Sequence, residues 1–298
     1  MPRRFARGSL LVLGLFAVGG AMLWGLFLAP RPSSPAAPAG VGWGVPGRTL
    51  RFVSYNVLHN QRGIENVVAA IKPLDADFVL LQEAESRHAT DLARALGMTQ
   101  TYHPRLYERS ANLAGPRATW GNLILSRHPM YDAGPIPNPG GGSFGVWAVA
   151  VIEDKKFLLA NVHLSATWNA NPKHLKESGV NRHKELTALR DAWRARGSPP
   201  AVIGGDFNQI PMGNNYALMT ERWTDALGAL GQTGSTFGEG LLRTRIDYFL
   251  ITDAWKPLGG GIIAADASDH RPIWVDLSPA APPTAAAPPA PVTTSPAR

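Results

Sequence analysis

The stretch Gly204-Gly205-Asp206-Phe207-Asn208-Gln209-Ile210-Pro211 sets a carboxylate and an amide two residues apart, just past a short apolar run. That run, Ala201-Val202-Ile203, is short and β-branched and predicts a buried strand. Two glycines then free the backbone, so an acid and an amide stand at the strand's C-terminal end with little bulk beside them. Residues i and i+2 share a face while strand geometry lasts, so Asp206 and Asn208 are expected to point the same way, with Pro211 stopping the strand. A carboxylate attracts a cation or orients a water, and an amide NH2 donates to a substrate oxygen. Taken by itself, the stretch also reads as a glycine-rich turn with Asp and Asn as turn formers.

Other chemistry-bearing residues fall at similar places. Asn56 lies near the end of a predicted strand over 49–57, where apolar and polar residues alternate. Glu83 closes the apolar run 77–83, as a solvated strand end or as a cation ligand. Asn122 interrupts the predicted strand 119–126, and an outward-facing position is the simpler reading of it. His163 ends the strand 155–164, where a lone histidine is more often a hydrogen-bonded core residue than a catalyst. Asp247 stands near the start of the strand 245–251. Asp269 and His270 are adjacent at the head of another strand and project in opposite directions, so one faces a metal while the other faces a substrate, or one is structural. Residues 167–181, with Trp168, Asn169, Lys173, His174 and Lys176, predict a polar, basic loop, on the substrate side or as a solvated insertion. Gly140-Gly141-Gly142 lacks the spacing of a phosphate-binding loop and reads as a plain flexible loop.

The elements that must position these residues are legible from periodicity. Helical spacing covers 64–71, stopping near Pro73, and another helix is expected over 89–96. A third, over 183–196, puts Leu186, Leu189 and Trp193 on one face. Residues 144–152 and 155–164 form a hairpin joined near Glu153-Asp154. Strands alternating with helices, and hairpins among them, predict a mixed α/β sandwich with helices outside.

Composition bounds the function. The absence of cysteine excludes disulfides, thiolate metal sites and cysteine nucleophiles. The formal charge of +7 is concentrated in the tails, where Arg3, Arg4, Arg7, Arg31 and Arg298 face no acids. Without these five, 24 of the 29 basic residues stand against 22 acids, so charge gives only weak support for a nucleic-acid substrate. Ser9 to Ala29 is an uncharged apolar run long enough to cross a bilayer once. Arginines outnumber those after it, which orients the N-terminus to the cytoplasm and the body outside it, at the cell membrane. Removal as a signal peptide is the competing outcome, disfavoured by Pro30 directly after the run. The expected organisation is an anchor or signal at 1–29, a Pro/Ala-rich linker at 30–45, a catalytic body at 46–278 and a disordered tail at 279–298.

Asn56, Gln82-Glu83, Asn161-Val162-His163, Gly205-Asp206-Phe207-Asn208, Arg245-Ile246-Asp247-Tyr248 and Ser268-Asp269-His270, in this order, resemble the endonuclease/exonuclease/phosphatase superfamily typified by deoxyribonuclease I. The resemblance covers 49–277, and the N-terminal run is similar to that of a bacterial membrane-bound subgroup. It implies an α+β fold, a four-layer α-β-β-α sandwich with the site where the two sheets open at one edge, here preceded by one transmembrane helix. It implies Mg2+, or Mn2+, held by Glu83 with Asn56 beside it and Asp269 on the metal side. His270 would be the general base and Asp247 would fix its tautomer. Asp206 and Asn208 would orient the water and grip phosphoryl oxygens. His163 would bond the phosphate and protonate the leaving oxygen, and Asn122 and Trp168 would touch substrate. The reaction so implied is in-line hydrolysis of a phosphate ester by a monomer with no protein partner. A phosphodiesterase or nuclease comes first, a phospholipid head-group hydrolase second, and an anchored binding protein without catalysis third.

Overall fold

The computed structural model describes residues 48–102, 120–167, 171–240 and 243–280. The expected anchor and linker, Trp168 and the tail from residue 281 lie outside them, whereas Pro279, expected to open the disordered tail, closes the last described strand. Among the described residues no helix is long and apolar enough to cross a membrane.

The chain runs β1 (Leu50–Asn56), α1 (Ile64–Ile71), β2 (Phe78–Glu85), α2 (Ala89–Leu96), β3 (Gln100–Tyr102), β4 (Trp120–Ser126), β5 (Met130–Pro137), β6 (Ser143–Ile152) and β7 (Lys155–His163). It continues through α3 (Pro172–Ala195), β8 (Ala201–Asp206), α4 (Gly213–Thr220), β9 (Thr224–Asp225), α5 (Ala226–Ala229), β10 (Asp247–Ile251), β11 (Trp255–Ile262) and β12 (Ile273–Pro279). Among the described residues these strands form two six-stranded sheets, ordered β11-β12-β1-β2-β4-β3 and β5-β6-β7-β8-β10-β9. The second sheet is one uninterrupted stretch of chain, while the first is assembled from both sides of it.

Period-two alternation divides each strand between two cores. Phe52, Phe78, Leu80 and Ile124 of the first sheet meet Val146, Phe157, Val202 and Phe249 of the second in an inner core. On the outer face of the first sheet, Val53, Val79 and Leu81 pack against Val67 and Ile71 of α1 and Leu92 and Leu96 of α2. On the outer face of the second, Leu158, Ala160 and Ile203 pack against Leu186 and Leu189 of α3 and Met219 of α4. The result is the four-layer α-β-β-α order that the resemblance implies. Fully burying one such side chain stabilises by about 1.5–3 kcal/mol, so the two sheets are held face to face chiefly by apolar area.

Topology gathers the chemistry at one edge. β1 and β2 are parallel, with Asn56 opposite Gln82. β7 and β8 are parallel, with His163 opposite Asp206. β10 runs antiparallel to β8 and starts with Asp247 opposite Asp206. β12 runs antiparallel to β1 with Ile273 opposite Ser54, so the loop that enters it brings His270 to the same edge. Beneath that edge a buried polar bridge joins the sheets. Gln82 Nε2 donates to Asn161 Oδ1 at 2.7 Å and to Ser54 Oγ at 3.1 Å, and Asn161 Nδ2 donates to the carbonyls of Leu81 and Leu123 at 2.8 and 3.0 Å.

Several expectations are corrected. Residues 172–181 are not a loop but the first turns of α3, begun by Pro172 behind the cap Asn171, whose side chain accepts from the Lys173 N–H at 2.9 Å. β5 and β11 were not expected as strands. Both are edge strands, which tolerate the Pro and Gly that obscured them. β8 ends at Asp206, and Asn208 sits at φ 49°, so the shared face expected for the two is not formed. The glycines before Asp206 serve close packing more than release. A Cβ on Gly205 (φ 146°) would lie 2.0 Å from the Val162 carbonyl oxygen, and one on Gly204 would lie 2.6 Å from Leu80 Cδ1.

Candidate active site

Asp206 is the hub. It is buried, and its Oδ2 faces three nitrogens: Asn56 Nδ2 at 3.1 Å, His163 Nε2 at 3.5 Å and His270 Nε2 at 3.5 Å. Its Oδ1 accepts from the Asn208 backbone N–H at 2.9 Å, so the left-handed turn at Asn208 folds the chain back onto the acid. His270 Nδ1 lies 3.0 and 3.2 Å from the two oxygens of Asp247, and its ring packs on Phe237 at 4.7 Å. Thr236 Oγ1 accepts from the Asp247 N–H at 3.2 Å and anchors that acid's strand.

Glu83 is the second acid centre. It sits at φ 55° where the β2–β4 register shifts, so a bulge turns its side chain toward the sheet edge. Its Oε1 accepts from Asn56 Nδ2 at 3.0 Å and lies 3.9 Å from His163 Nε2, while its Oε2 lies 2.7 Å from His59 Nε2. One amide thus bridges Glu83 and Asp206, and His163 stands between the same two acids.

Charge follows from this geometry. Burial pushes His270 down, but the carboxylates of Asp247 and Asp206 outweigh it and hold the imidazole up at about 10. Burial pushes Asp206 up, with Asp247 adding to it and His270 and His163 opposing. Burial likewise works to raise Glu83, but the His59 hydrogen bond, the His163 charge and the Asn56 amide bring it down to about 2.

Six of the predicted residues therefore meet: Asn56, Glu83, His163, Asp206, Asp247 and His270. Asn208 adjoins them, but its Nδ2 is committed to the Leu164 carbonyl at 3.0 Å. Asn122 does not face outward. It is buried between the sheets, donating to the Phe144 carbonyl at 3.1 Å, with its Oδ1 unpartnered. Asp269 is exposed on the loop before His270, where it accepts from Ser268 Oγ at 3.2 Å, and it stays outside the cluster. His59, Trp120 and Phe237 escaped the sequence reading. A signal existed for Trp120, which shares the inward strand face of Asn122 by period two. His59 lies in a single tight turn of helix and Phe237 in an isolated bridge to Thr244 and His270, each too short for periodicity to operate.

The donor set fits a hard divalent ion. Glu83, Asp206 and Asp247 offer carboxylate oxygens, the ligands that Mg2+ and Mn2+ prefer. Among the described residues, ligand atoms of Asp206, Asp247 and His270 all lie within 4.8 Å of one another, a group able to hold a metal ion. Within that group His270 Nδ1 is already paired with Asp247, at 3.0 and 3.2 Å from its two oxygens, and Glu83 offers a carboxylate outside the pair.

Residues 53–270 match the Endonuclease/Exonuclease/phosphatase family. Among solved structures, an endonuclease/exonuclease/phosphatase from Beutenbergia cavernae is 22% identical, over 80% of this chain and 73% of that one, with a TM-score of 0.63. One from Bacteroides vulgatus is 18% identical over 78% and 100%, with a TM-score of 0.62. A humanized D. rerio TDP2 is 15% identical over 77% and 99%, with a TM-score of 0.61. No curated protein matches the sequence significantly. With the family matched from within β1 to the loop before β12, and acids and imidazoles gathered at the open sheet edge, the chain belongs to the endonuclease/exonuclease/phosphatase family and is a phosphoesterase of that family.

Proposed function

We propose that the protein is a Mg2+-dependent phosphodiesterase, acting on nucleic acid by in-line attack of water. One observation carries this reading: Asp206 collects two imidazoles with different partners, His270 paired to Asp247 and His163 set beside Glu83. Different partners divide base from acid. His270, its tautomer fixed by Asp247, takes the proton of the attacking water. Asp206 and the Asn208 loop orient that water. The water oxygen bonds to phosphorus, the bond from phosphorus to the leaving oxygen breaks, and His163 gives that oxygen its proton. Glu83 and an oxygen of Asp206, the two acids that the Asn56 amide bridges, would hold Mg2+ or Mn2+, which would supply charge neutralisation on the phosphoryl oxygens.

A phospholipid head-group hydrolase is the second reading. It is favoured by the apolar run 9–29, which would hold the body at a membrane surface, outside the cytoplasm. The test is an Mg2+ assay of the protein on supercoiled DNA, single-stranded RNA, bis-p-nitrophenyl phosphate and sphingomyelin vesicles, beside His270→Ala. The expected result is nucleic-acid cleavage that falls by about 10²–10⁴-fold in the mutant. Turnover confined to the vesicles would replace the first reading with the second.

A further inference from the structure

None of these roles uses His59, yet an unusual piece of backbone places it. Leu58, His59 and Asn60 are consecutive left-handed residues, with φ of 47°, 54° and 56°. Non-glycine residues held in sparsely populated backbone conformations cost about 1–3 kcal/mol each and cluster at functional sites. The turn is pinned on several sides. The Leu58 N–H donates to Asn56 Oδ1 at 3.1 Å, and the Glu85 N–H donates to Asn60 Oδ1 at 3.1 Å. Arg62 Nη1 reaches the carbonyls of Asp266 and Ser268 at 2.9 and 3.1 Å, tying the turn to the loop that carries His270.

The outcome of that pinning is one contact, His59 Nε2 to Glu83 Oε2 at 2.7 Å. The ring is fixed by Trp120, which it meets edge-on at 4.6 Å and 86°. Glu83 is therefore held through both oxygens, Oε1 by Asn56 and Oε2 by His59. A carboxylate gripped in this way keeps one orientation and leaves its remaining lone pairs for a cation. Outer partners of ligating groups typically govern metal affinity by about 10–100-fold.

We propose that His59 is a positioning residue for the cation site: its Nε2–H holds Glu83 in the orientation that receives a divalent ion, and Trp120 is the wall that fixes its ring. This rests on the reading that Glu83 holds a cation. Two variants of the full-length protein isolate the donor. His59→Phe keeps an aromatic edge against Trp120 and removes the N–H, whereas His59→Gln restores an N–H at that reach.

The metal-stripped proteins are titrated with Mn2+ by calorimetry, and turnover is followed at saturating Mn2+. The expected result is Mn2+ affinity weakened by about 10–100-fold in His59→Phe, recovery in His59→Gln, and kcat at saturating metal close to wild type. Unchanged affinity in a folded His59→Phe overturns the proposal. Tighter binding overturns it too, by making His59 a competitor for the cation's place. A loss of kcat at saturating metal with unchanged affinity moves His59 onto the substrate and also overturns it. A wild-type protein that binds no Mn2+ removes instead the cation reading on which the proposal stands.

Discussion

At the scale of single residues, the site is an arrangement of protons as much as of atoms. Asp247 and Asp206 keep a proton on His270, while His59, His163 and Asn56 keep one off Glu83. A histidine held up at about 10 must lose its proton before it can accept one from water, so the rate is expected to rise with pH along a limb set by His270. Asp247 is the largest influence raising that limb. Asp247→Asn should therefore move it to lower pH. The same change should cut the maximum rate by on the order of 10²-fold or more, because the tautomer is no longer fixed. A pH–rate profile at saturating Mg2+ checks this, and an unmoved limb would show that another group is titrating.

At the scale of elements, the strand ends aim the side chains, and tight packing behind them keeps the aim. Gly205→Ala places a methyl against the Val162 carbonyl at a backbone angle that disfavours any side chain, and should cost about 3 kcal/mol or more. Asn161→Leu takes the shortest acceptor from the Gln82 amide and a donor from two buried carbonyls, and should cost on the order of 3 kcal/mol. At about 2–4 °C per kcal/mol for a body of this size, both losses are visible in a thermal melt, and a wild-type melting temperature in either variant would refute the packing argument. The strands that carry the site were legible because their sequences conflict with nothing. β1, β2, β7 and β8 are buried apolar runs, each closing on a polar residue, and the six short motifs fell in order along them. β5 and β11 were illegible because Pro135, Pro137 and the glycines 259–261 mimic a loop on paper, and an edge position alone excuses them. The start of α3 was hidden by its exposed first turns and Gly179, and its capping bond is a matter of geometry. Left-handed backbone at Glu83 leaves no mark in residue type, and Asn208 marks only a turn, so the aim of these side chains was not readable.

At the scale of the whole molecule, the buried charges couple folding to pH. His270 lies above its ordinary 6.5, so its stabilising contribution is complete below that value and is lost as pH rises through about 10. Asp206 is also raised, so its contribution is complete below its ordinary 3.8 and declines as pH rises above that value, which draws the maximum toward the acid side. Glu83 lies below its ordinary 4.5, so its contribution is complete above that value and is lost as pH falls toward about 2. The metal-free protein should melt highest between about 4.5 and about 6.5 and lower on either side. Melts in chelator across that range test it, and a maximum near pH 9 would contradict the assigned charges. The chain's route between the sheets has a further outcome. β12 is an inner strand of the first sheet, paired to both β11 and β1, and it is the last strand among the described residues. His270 stands just ahead of it. A product that stops before β12 has neither His270 nor the strand that joins β11 to β1, and a chain ending at Ala267 should show no turnover until a peptide spanning 268–280 is supplied. For a catalyst that breaks phosphate esters, this order would make synthesis its own safety catch, with hydrolytic competence expected only once β12 is in place.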